Sequence, residues 1–374
     1  MTNRERLRAV LNYEDYDRMP VVHFGFWSAL LDRWVDEGHL KPDEIIDIKD
    51  GNPNESLIAA KLGFDFNYSC TYPGLSAMSP LFPAFEPNRV REFPDGSYHL
   101  LNDEGVIVLQ KPDAVSIPME IEHILTDRAS WEKHYLPRLQ YSEDRFDDAV
   151  MSKLAAESAT RKEPLGIFCR SLYGKIRNWL GIVGISYLYA EDEDLYYEMI
   201  DTVGDLTYKT TERVLKSGIQ FDFAHFWEDI CFKNGPLVNP SVFKEKVGPH
   251  YRRITELLNS YGIKFVSLDC DGLIDSLIPA WIENGVNTMF PIEVGTWGAE
   301  ITPWREKYGR ELRGVGGMNK NLFGLDRAAI DAEIERLKPL VDLGGFIPCP
   351  DHRIPLGAKW ELIQYYCDKM KQTF

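Results

Sequence analysis

The stretch KFVSLDCDGLIDSLIPAWIENGVNTMFPIE, residues 264–293, decides the fold. A short apolar run at 264–269 is followed by a helical pattern over 274–284, by Gly285 and by a second apolar run at 287–293. A glycine just past the last helical position is a typical helix stop. Two strands joined by a helix of this length form a right-handed unit in which the strands are parallel. The stretch therefore predicts one β-α-β unit of a parallel sheet.

The same alternation extends over the whole chain. Short apolar runs lie at 19–24, 64–68, 165–170, 221–227, 264–269, 287–293, 311–317 and 344–349. Helical patterns lie at 174–180, 194–216, 240–260, 274–284, 327–343 and 359–371. Eight strands alternating with helices predict an α/β protein that forms a single domain over 1–374, a (β/α)8 TIM barrel. An open, doubly wound sheet is the alternative that this pattern leaves open.

One segment departs from the alternation. Residues 91–117 alternate apolar and polar side chains around Asp95-Gly96 and around Asp103-Glu104-Gly105. Such turns join antiparallel strands, so we expect a β-hairpin inserted after the second strand and covering the barrel mouth. Chemistry in a barrel of this kind lies where the strands end and the loops begin, at the carboxyl-terminal face.

Composition excludes several classes of function. With 374 residues and 44% hydrophobic side chains, the chain can bury a sizeable core. Its 42 Lys and Arg against 58 Asp and Glu give a net charge of −16, which argues against nucleic acids, anionic membranes and polyanionic ligands. The six cysteines form no CxxC pair, and the first twenty residues hold no apolar segment. We therefore expect a cytoplasmic protein with reduced thiols.

Acidic, histidine and aromatic side chains follow the ends of the predicted strands. They are His23, Phe24, Phe26 and Trp27 after the first strand, His225, Trp227, Glu228 and Asp229 at the fourth, Asp269 and Asp271 at the fifth, Glu293 at the sixth, Asn319 and Lys320 at the seventh, and Cys349, Asp351, His352 and Arg353 at the eighth. Motifs for nicotinamide binding, phosphate binding or a nucleophilic serine, GxGxxG, GxxxxGK[ST] and GxSxG, do not occur.

Two of these strand ends suggest specific chemistry. Alternate side chains of a strand share a face, so Asp269 and Asp271 could converge, and then one retains a proton or both hold a cation. The alternative is that Asp271 and Gly272 form a turn that caps the next helix. Cys349 and His352 suit zinc by ligand type, but the specific spacings HExxH and paired CxxC are absent. A zinc site whose ligands come from separate strands remains one of the alternatives.

The chain resembles the uroporphyrinogen decarboxylase superfamily from end to end. The resemblance lies, in the family's order, in TNRERLRAVLNYEDYDRMPVVHFGFW (2–27), WEDICFKNGPLVNPSVFKEKVGPHYRRI (227–254), SLDCDGLIDSLIPAWIENGVNTMFPIE (267–293), GGMNKNLF (316–323) and GGFIPCPDHRIPLGAKWELIQYY (344–366). It implies a (β/α)8 barrel, which agrees with the strand count. Members of the superfamily are often homodimers.

The resemblance also separates two branches. Uroporphyrinogen decarboxylases carry Arg-Gln-Ala-Gly-Arg after the first strand to hold substrate carboxylates, whereas this chain has His23-Phe24-Gly25-Phe26-Trp27 there. It therefore looks more similar to the corrinoid-dependent methyltransferases. Members that methylate coenzyme M bind zinc through His-x-Cys after the fifth strand and a cysteine near the eighth. Here those positions read Asp269-Cys270-Asp271 and Cys349, which leaves a mixed site, a histidine–carboxylate site or no metal.

The segments look most similar to the methyltransferases that demethylate aryl methyl ethers. The resemblance then implies transfer of a methyl group from a methoxylated aromatic compound to the cob(I)amide of a corrinoid protein, with cobalamin carried by that partner and zinc as a second cofactor. The expected residues are Glu228, Asp269, Asp271 and His352 for catalysis, His23, Trp27, His225, Trp227, Glu293, Asn319 and Lys320 for substrate, and Asp269, Cys349 and His352 for metal. The alternatives are a decarboxylase of an aromatic or pyrrolic acid and a non-catalytic binding barrel.

Overall fold

The computed structural model describes residues 1–68, 80–111 and 118–374. The strands in this part of the chain are β1 (Val22–His23), β2 (Phe66–Asn67), β3 (Asn88–Glu92), β4 (Tyr98–Leu101), β5 (Val106–Gln110), β6 (Met119–His123), β7 (Gly166–Phe168), β8 (Phe223–Trp227), β9 (Cys231–Phe232), β10 (Gly235–Pro236), β11 (Val266–Asp269), β12 (Thr288–Ile292), β13 (Arg313–Met318) and β14 (Phe346–Pro350). The α-helices are α1 (Asn3–Asn12), α2 (Ser28–Asp36), α3 (Pro53–Leu62), α4 (Arg128–Ser130), α5 (Asp148–Glu157), α6 (Gly174–Glu191), α7 (Glu193–Leu215), α8 (Pro240–Val242), α9 (Gly248–Ser260), α10 (Ile278–Glu283), α11 (Val294–Trp297), α12 (Ile301–Tyr308), α13 (Arg327–Asp342) and α14 (Trp360–Thr373).

The parallel strands form two sheets. Six of them pair in the order β14-β13-β12-β11-β8-β7, and β1 pairs with β2. A parallel bridge between Phe26 and Ile354 connects the segment after β1 with the segment after β14. Each of the eight predicted apolar runs overlaps one of these strands, which confirms a mixed α/β fold with a large parallel sheet. Closure of all eight strands into a full barrel stays a prediction.

The predicted hairpin over 91–117 is part of a larger antiparallel sheet with the strand order β3-β4-β5-β6. Residues 112–117 lie outside the described part of the chain. The expected turns lie between β3 and β4 and between β4 and β5. At the second turn, Glu104 forms an ion pair with Lys175 at the start of α6. The ammonium of Lys175 lies 4.9 Å from the ring of Trp227, so this turn reaches the carboxyl end of β8.

The helices follow the sequence signals with some changes of length. Asp192 and Asp326 accept hydrogen bonds from the first turns of α7 and α13, as helix-capping aspartates do. Helix α6 is longer than the predicted 174–180, because it resumes after a kink at Gly181, whose φ is +67°. Helix α10 is shorter than the predicted 274–284. In the described part of the chain no helix is both long enough and apolar enough to cross a bilayer.

The core lies on both faces of the parallel sheet. Strands β11, β12 and β14 are buried along their whole lengths, as expected for strands covered on both sides by other elements. Polar side chains concentrate where these strands end. The five cysteines in the described part of the chain are free and buried.

Candidate functional site

Three carboxylates meet beyond the carboxyl ends of β8 and β11. One ligand oxygen from each of Asp229, Asp269 and Asp271 can be chosen so that all three lie within 4.8 Å of one another. Asp269 ends β11 and Asp271 follows two residues later, in the convergence that strand alternation predicts. Asp229 follows β8 with a left-handed φ of +48° and accepts a hydrogen bond of 3.1 Å from the backbone N–H of Asp271. We call these three residues the carboxylate cluster.

The cluster is poorly compensated electrostatically. Burial, followed by repulsion from Asp271, raises the pKa of Asp229 to about 7. Burial also raises the pKa of Asp269 far above its ordinary value, with Asp229 and Asp271 adding to the effect. Asp269 is only 7% exposed, and no hydrogen bond joins its carboxylate to another described residue. Asp271 Oδ1 is likewise buried without a hydrogen-bond partner. Such a cluster retains protons near neutrality or takes up a cation.

His352 lies on the accessible side of the cluster. Its Nε2 is 3.4 Å from Asp271 Oδ2, and its side chain is 24% exposed. The imidazole stacks on Trp27, with ring centroids 5.8 Å apart and planes 19° apart. This position allows His352 to exchange a proton with a ligand while Asp271 holds the ring.

An aromatic wall, formed by Phe24, Tyr68, Trp227 and Phe290, adjoins the cluster. Asp269 stands opposite both Trp227 and Phe290 in the parallel register, so the three side chains share one face of the sheet. The ring of Phe290 lies 4.5 Å from that of Phe24 and 5.0 Å from that of Tyr68. Tyr68 and Phe290 are fully buried and Phe24 is 8% exposed, so of these four rings Trp227 is the one partly open to solvent.

His225, an expected substrate contact, lies among these rings, 5.6 Å from Phe290. Its Nδ1 is 3.2 Å from Ser267 Oγ, and its Nε2 is 4.0 Å from Asp269 Oδ2. Burial lowers the pKa of His225 to about 3, so the imidazole is neutral at pH 7. His225 therefore extends the wall as an uncharged group.

Glu228, an expected catalytic residue, points away from the cluster. Its carboxylate accepts hydrogen bonds from the Ser171 hydroxyl at 2.8 Å, from the Tyr251 hydroxyl, and from three backbone N–H groups at 172–174, at 2.6 to 3.1 Å. The side chain is fully buried at the amino terminus of α6. Burial raises the pKa of Glu228, and these hydrogen bonds oppose that rise. The arrangement favours a structural role, in which Glu228 caps α6 against the end of β8.

Two other expected residues lie away from the cluster. His23 is fully buried and packs between Phe26 and Phe64, with each pair of ring centroids 4.9 Å apart. Burial, with a smaller effect of Arg353, lowers the pKa of His23 to about 3. Cys349 is fully buried in β14, and burial raises the pKa of its thiol far above the ordinary value. Such a thiol is a poor metal ligand.

The structure therefore assembles a different ligand group from the expected set Asp269, Cys349 and His352. In the described residues, the carboxylate cluster is the group of three whose ligand atoms approach one another closely enough for one ion. It offers only oxygen atoms, with the imidazole of His352 beside it. Oxygen donors suit hard divalent cations rather than a thiolate-bound zinc.

The remaining expected residues fix the surrounding loops. Glu293 accepts hydrogen bonds from the backbone N–H of Gly272 at 2.6 Å and from the Thr296 hydroxyl at 3.0 Å, so it holds the turn after Asp271. Burial, followed by repulsion from Asp271, raises the pKa of Glu293.

Asp351 holds the neighbouring loops together. It accepts hydrogen bonds from Gly295 N–H at 2.6 Å and from Lys320 Nζ at 3.3 Å. Asn319 accepts from the N–H of Asn321 at 3.1 Å and so caps its own turn. Asn319 and Lys320 therefore stabilise the loop after β13 through these contacts.

Sequence reasoning placed Asp229 and Arg353 at strand ends without assigning either a catalytic, substrate or metal role, and it did not select Phe290. The guanidinium of Arg353 binds Asp50, with Nη1 3.0 Å from Oδ1, and lies 5.8 Å from the ring of Trp27. The crowding of acidic residues at 228–229 was the signal for Asp229. Phe290 is one apolar residue in an apolar strand and gave no signal.

Comparison with solved structures supports the fold. A methyltransferase from Methanosarcina mazei is similar over 100% of this chain and 99% of that chain, with a TM-score of 0.57 and 13% identity. A second match, a candidate vitamin-B12 independent methionine synthase from Listeria monocytogenes, has a TM-score of 0.37 and 10% identity over 60% of this chain and 69% of that chain. The second similarity is too distant to carry an argument. No family model and no curated protein sequence matches the chain.

Proposed function

We propose that the chain is a methyltransferase that moves a methyl group from a methoxylated aromatic compound to the cob(I)amide of a corrinoid protein. The observation that carries this proposal is the pairing of His352 with a proton-retaining carboxylate cluster beside an aromatic wall, at the strand ends where such folds place their chemistry. The similarity of the fold to a methyltransferase from Methanosarcina mazei supports the same reaction class.

The leaving group sets the physical demand on this site. A phenol has a pKa of about 10, by analogy with tyrosine. Expelling a bare phenolate at pH 7 therefore forgoes about three pKa units, or about 4 kcal/mol, relative to leaving as the phenol. A positioned acid recovers part of that energy.

His352 is the residue best placed to supply the proton. The aromatic ring of the substrate would lie against Trp27, which is partly exposed and stacks on His352. As the bond between methyl carbon and ether oxygen breaks, Nε2 of His352 gives its proton to that oxygen. Asp271, 3.4 Å from Nε2, holds the ring in place, and a proton from solvent restores His352 after the phenol leaves, since the histidine side chain is 24% exposed. The reduced cobalt of the partner's corrinoid supplies the nucleophile.

Zinc, expected from the resemblance, does not fit these residues. The thiol of Cys349 is buried outside the cluster, and the cluster itself offers only carboxylate oxygens. The proton route through His352 requires no metal ligand.

A decarboxylase of an aromatic or pyrrolic acid is the alternative function. Its substrate would bring a fourth carboxyl group to a cluster in which repulsion already raises the pKa values of Asp229 and Asp269. The cluster thus favours methyl transfer over decarboxylation.

Anaerobic absorbance spectroscopy tests the proposal. Cob(I)alamin is mixed with the protein and a panel of aryl methyl ethers, and loss of the cobalt(I) band with growth of methylcobalamin is followed. We expect protein-dependent methylation, lost in His352→Gln and kept in the control His134→Gln, whose imidazole lies outside the site. Release of carbon dioxide from an aromatic acid, without methylation from any ether, would contradict methyl transfer and support the decarboxylase.

A further inference from the structure

One arginine joins three segments at the edge of the site. Arg353 follows His352 in the loop after β14, and its guanidinium holds the carboxylate of Asp50 through both terminal nitrogens, with Nη1 3.0 Å from Oδ1. The same Nη1 donates to the main-chain oxygen of Phe26, just after β1, at 3.3 Å. The loop after β14, the segment after β1 and the loop that carries Asp50 are therefore all bound to one side chain.

The backbone at this edge packs closely around the guanidinium. The N–H of Ile354 donates to the main-chain oxygen of Gly25 at 3.1 Å, beside the parallel bridge between Phe26 and Ile354. A Cβ on Gly25 would lie 2.7 Å from Arg353 Nη1 and 2.7 Å from Asp50 Oδ1. The absence of a side chain at Gly25 therefore leaves the room in which the guanidinium and the carboxylate meet.

The loop that carries Asp50 is itself bound to the end of β2. The buried carboxyl group of Glu55, in the first turn of α3, accepts hydrogen bonds from the N–H of Gly51 at 2.6 Å and from the side-chain amide of Asn67 at 2.7 Å. Asn67 ends β2, which pairs with β1. Asp50 therefore presents Arg353 with a carboxylate in a fixed place, as a contact through two parallel hydrogen bonds requires.

The stacked rings of Trp27 and His352, which we call the ring pair, depend on the backbone at both ends. Both side chains are only partly buried, and a single stacking contact between two such rings is weak. Arg353 is the residue after His352, and it binds the main-chain oxygen of the residue before Trp27. Its Cζ also lies 5.8 Å from the centre of the Trp27 ring. Arg353 therefore acts on both members of the ring pair.

We propose that Arg353 is a positioning residue, which holds Trp27 and His352 in the stacked arrangement that presents the imidazole to the ether oxygen of the methyl donor. It does so through Asp50 and the main-chain oxygen of Phe26. This inference rests on the proposed function and adds to it a residue that acts through other side chains. A planar guanidinium suits the task, because its two terminal nitrogens hold a carboxylate in one orientation, which a lysine ammonium does not.

The stacking is measurable without any methyl transfer. The ring current of Trp27 shifts the imidazole proton signals of His352, and the chain has eight histidines, so the signal is assigned in a 1H–13C spectrum by its loss in His352→Gln. Trp27→Leu defines the unstacked position of that signal. We expect Arg353→Lys to move the signal towards this position, and because the variant keeps the positive charge, the shift reports geometry. Asp50→Asn removes the other half of the contact and should act in the same way, which guards against misfolding of the arginine variant.

Methyl transfer should show that Arg353 acts through His352. We expect Arg353→Lys to lower kcat about tenfold or more while KM for the aryl ether changes only a few-fold, because a misplaced acid slows the reaction of bound substrate. Added to His352→Gln, the same change should cause no further loss, since the group that it positions is already absent. The matched control is Arg213→Lys, which should leave both measurements unchanged. Arg213 also binds carboxylates, those of Glu143 and Asp148, and its side chain is 26% exposed against 28% for Arg353.

A cavity beside the guanidinium allows chemical rescue. It measures about 310 Å³, and its lining includes Phe26, Arg353 and the exposed residues Lys49 and Asp50, so it is reached from solvent. In Arg353→Ala this cavity extends into the space of the lost side chain, opposite Asp50. We expect millimolar methylguanidinium to restore the stacked signal of His352 and part of the methyl transfer, and methylammonium at the same concentration to restore neither. Guanidinium would not repair a chain that had failed to fold.

The outcomes separate the two proposals. An unchanged His352 signal in Arg353→Lys, or a further loss of methyl transfer when that change is added to His352→Gln, would overturn the positioning role. If the signal moves as expected and methylguanidinium restores it, but the parent chain transfers no methyl group from any ether, then Arg353 does position the ring pair and the proposed function is wrong.

Discussion

Replacing Glu228 by glutamine distinguishes a structural from a catalytic carboxylate. The sequence predicts a catalytic role for Glu228, whereas the structure surrounds its carboxylate with five hydrogen-bond donors and no solvent. Glutamine keeps the shape but removes the charge, and it turns an NH2 donor toward groups that are themselves donors. At least two of the five donors then lose their acceptor.

The expected loss of stability follows from those contacts. A hydrogen bond to a charged group contributes about 1.5–3 kcal/mol, and leaving buried partners unpaired costs more than the bond itself. We therefore expect Glu228→Gln to lower the free energy of unfolding by about 4 kcal/mol. With an unfolding entropy of about 2.1 cal/mol/K per residue, a chain of 374 residues would melt about 5 °C lower.

The assay is urea unfolding followed by tryptophan fluorescence, together with methyl transfer per folded molecule below the melting temperature. The control Glu132→Gln, at an exposed position, should unfold like the parent. Tyr251→Phe, which removes one donor and keeps the charge, should lose about 1–2 kcal/mol. If Glu228→Gln were as stable as the parent but transferred methyl groups a hundredfold more slowly, the structural reasoning would be refuted and the catalytic role restored.

Three further substitutions test the site. His352→Gln should slow methyl transfer from aryl ethers about a hundredfold or more at pH 7 while changing ring affinity only a few-fold, as measured by single-turnover absorbance. Asp229 has its folded pKa raised to about 7, so between about pH 4 and 7 the folded state holds more protons than the unfolded state, and stability falls as pH rises through that window. Asp229→Asn should remove this dependence and gain about 2 kcal/mol at pH 8 but little at pH 4, and equal urea midpoints at pH 8 would contradict the assigned repulsion. Gly25→Ala places a methyl group 2.7 Å from both Arg353 Nη1 and Asp50 Oδ1 on a residue with φ of +85°, so a loss of about 2 kcal/mol in thermal unfolding is expected, and an unchanged melting temperature would show that this loop yields easily.

The parallel strands could be predicted because their physical signal is local. A strand covered on both faces must be apolar along its length, and β11, β12 and β14 meet that condition in the sequence as in the structure. The two outer strands of the antiparallel sheet gave a weaker signal. β3 is exposed along its whole length, so it has no apolar alternation to detect.

The site could be predicted only in part, because its geometry depends on the backbone after each strand. Asp269 and Asp271 keep strand alternation and converge as expected. At the end of β8 the expected roles are exchanged. Asp229, with its left-handed φ, lies in the cluster, whereas the carboxylate of Glu228 points to the start of α6. Two adjacent acids in the sequence are equivalent until that single φ is known.

Cys349 shows that the type of metal ligand could not be predicted from the sequence either. Its position at the end of the eighth apolar run suits a metal, yet it lies within β14, where the thiol is fully enclosed, and the chain reaches the open face only near His352. One or two residues along a strand end decide between a ligand and a core side chain, because successive side chains alternate between faces.

The carboxylate cluster itself is the strongest sign that this face of the fold binds a ligand. Three acids this close together raise the free energy of the folded chain when they ionise, since each ionisation opposes the next and His352, Arg177 and Arg353 offset only part of the repulsion. A core that needed only stability would carry asparagine or an apolar residue at Asp269, whose carboxylate makes no hydrogen bond within the described part of the chain. The electrostatic cost is recovered when a positive group or a proton enters the space between the acids. The same residues that destabilise the free site would then be the ones that take up a positive group or a proton, and removing them should stabilise the protein and abolish that uptake together.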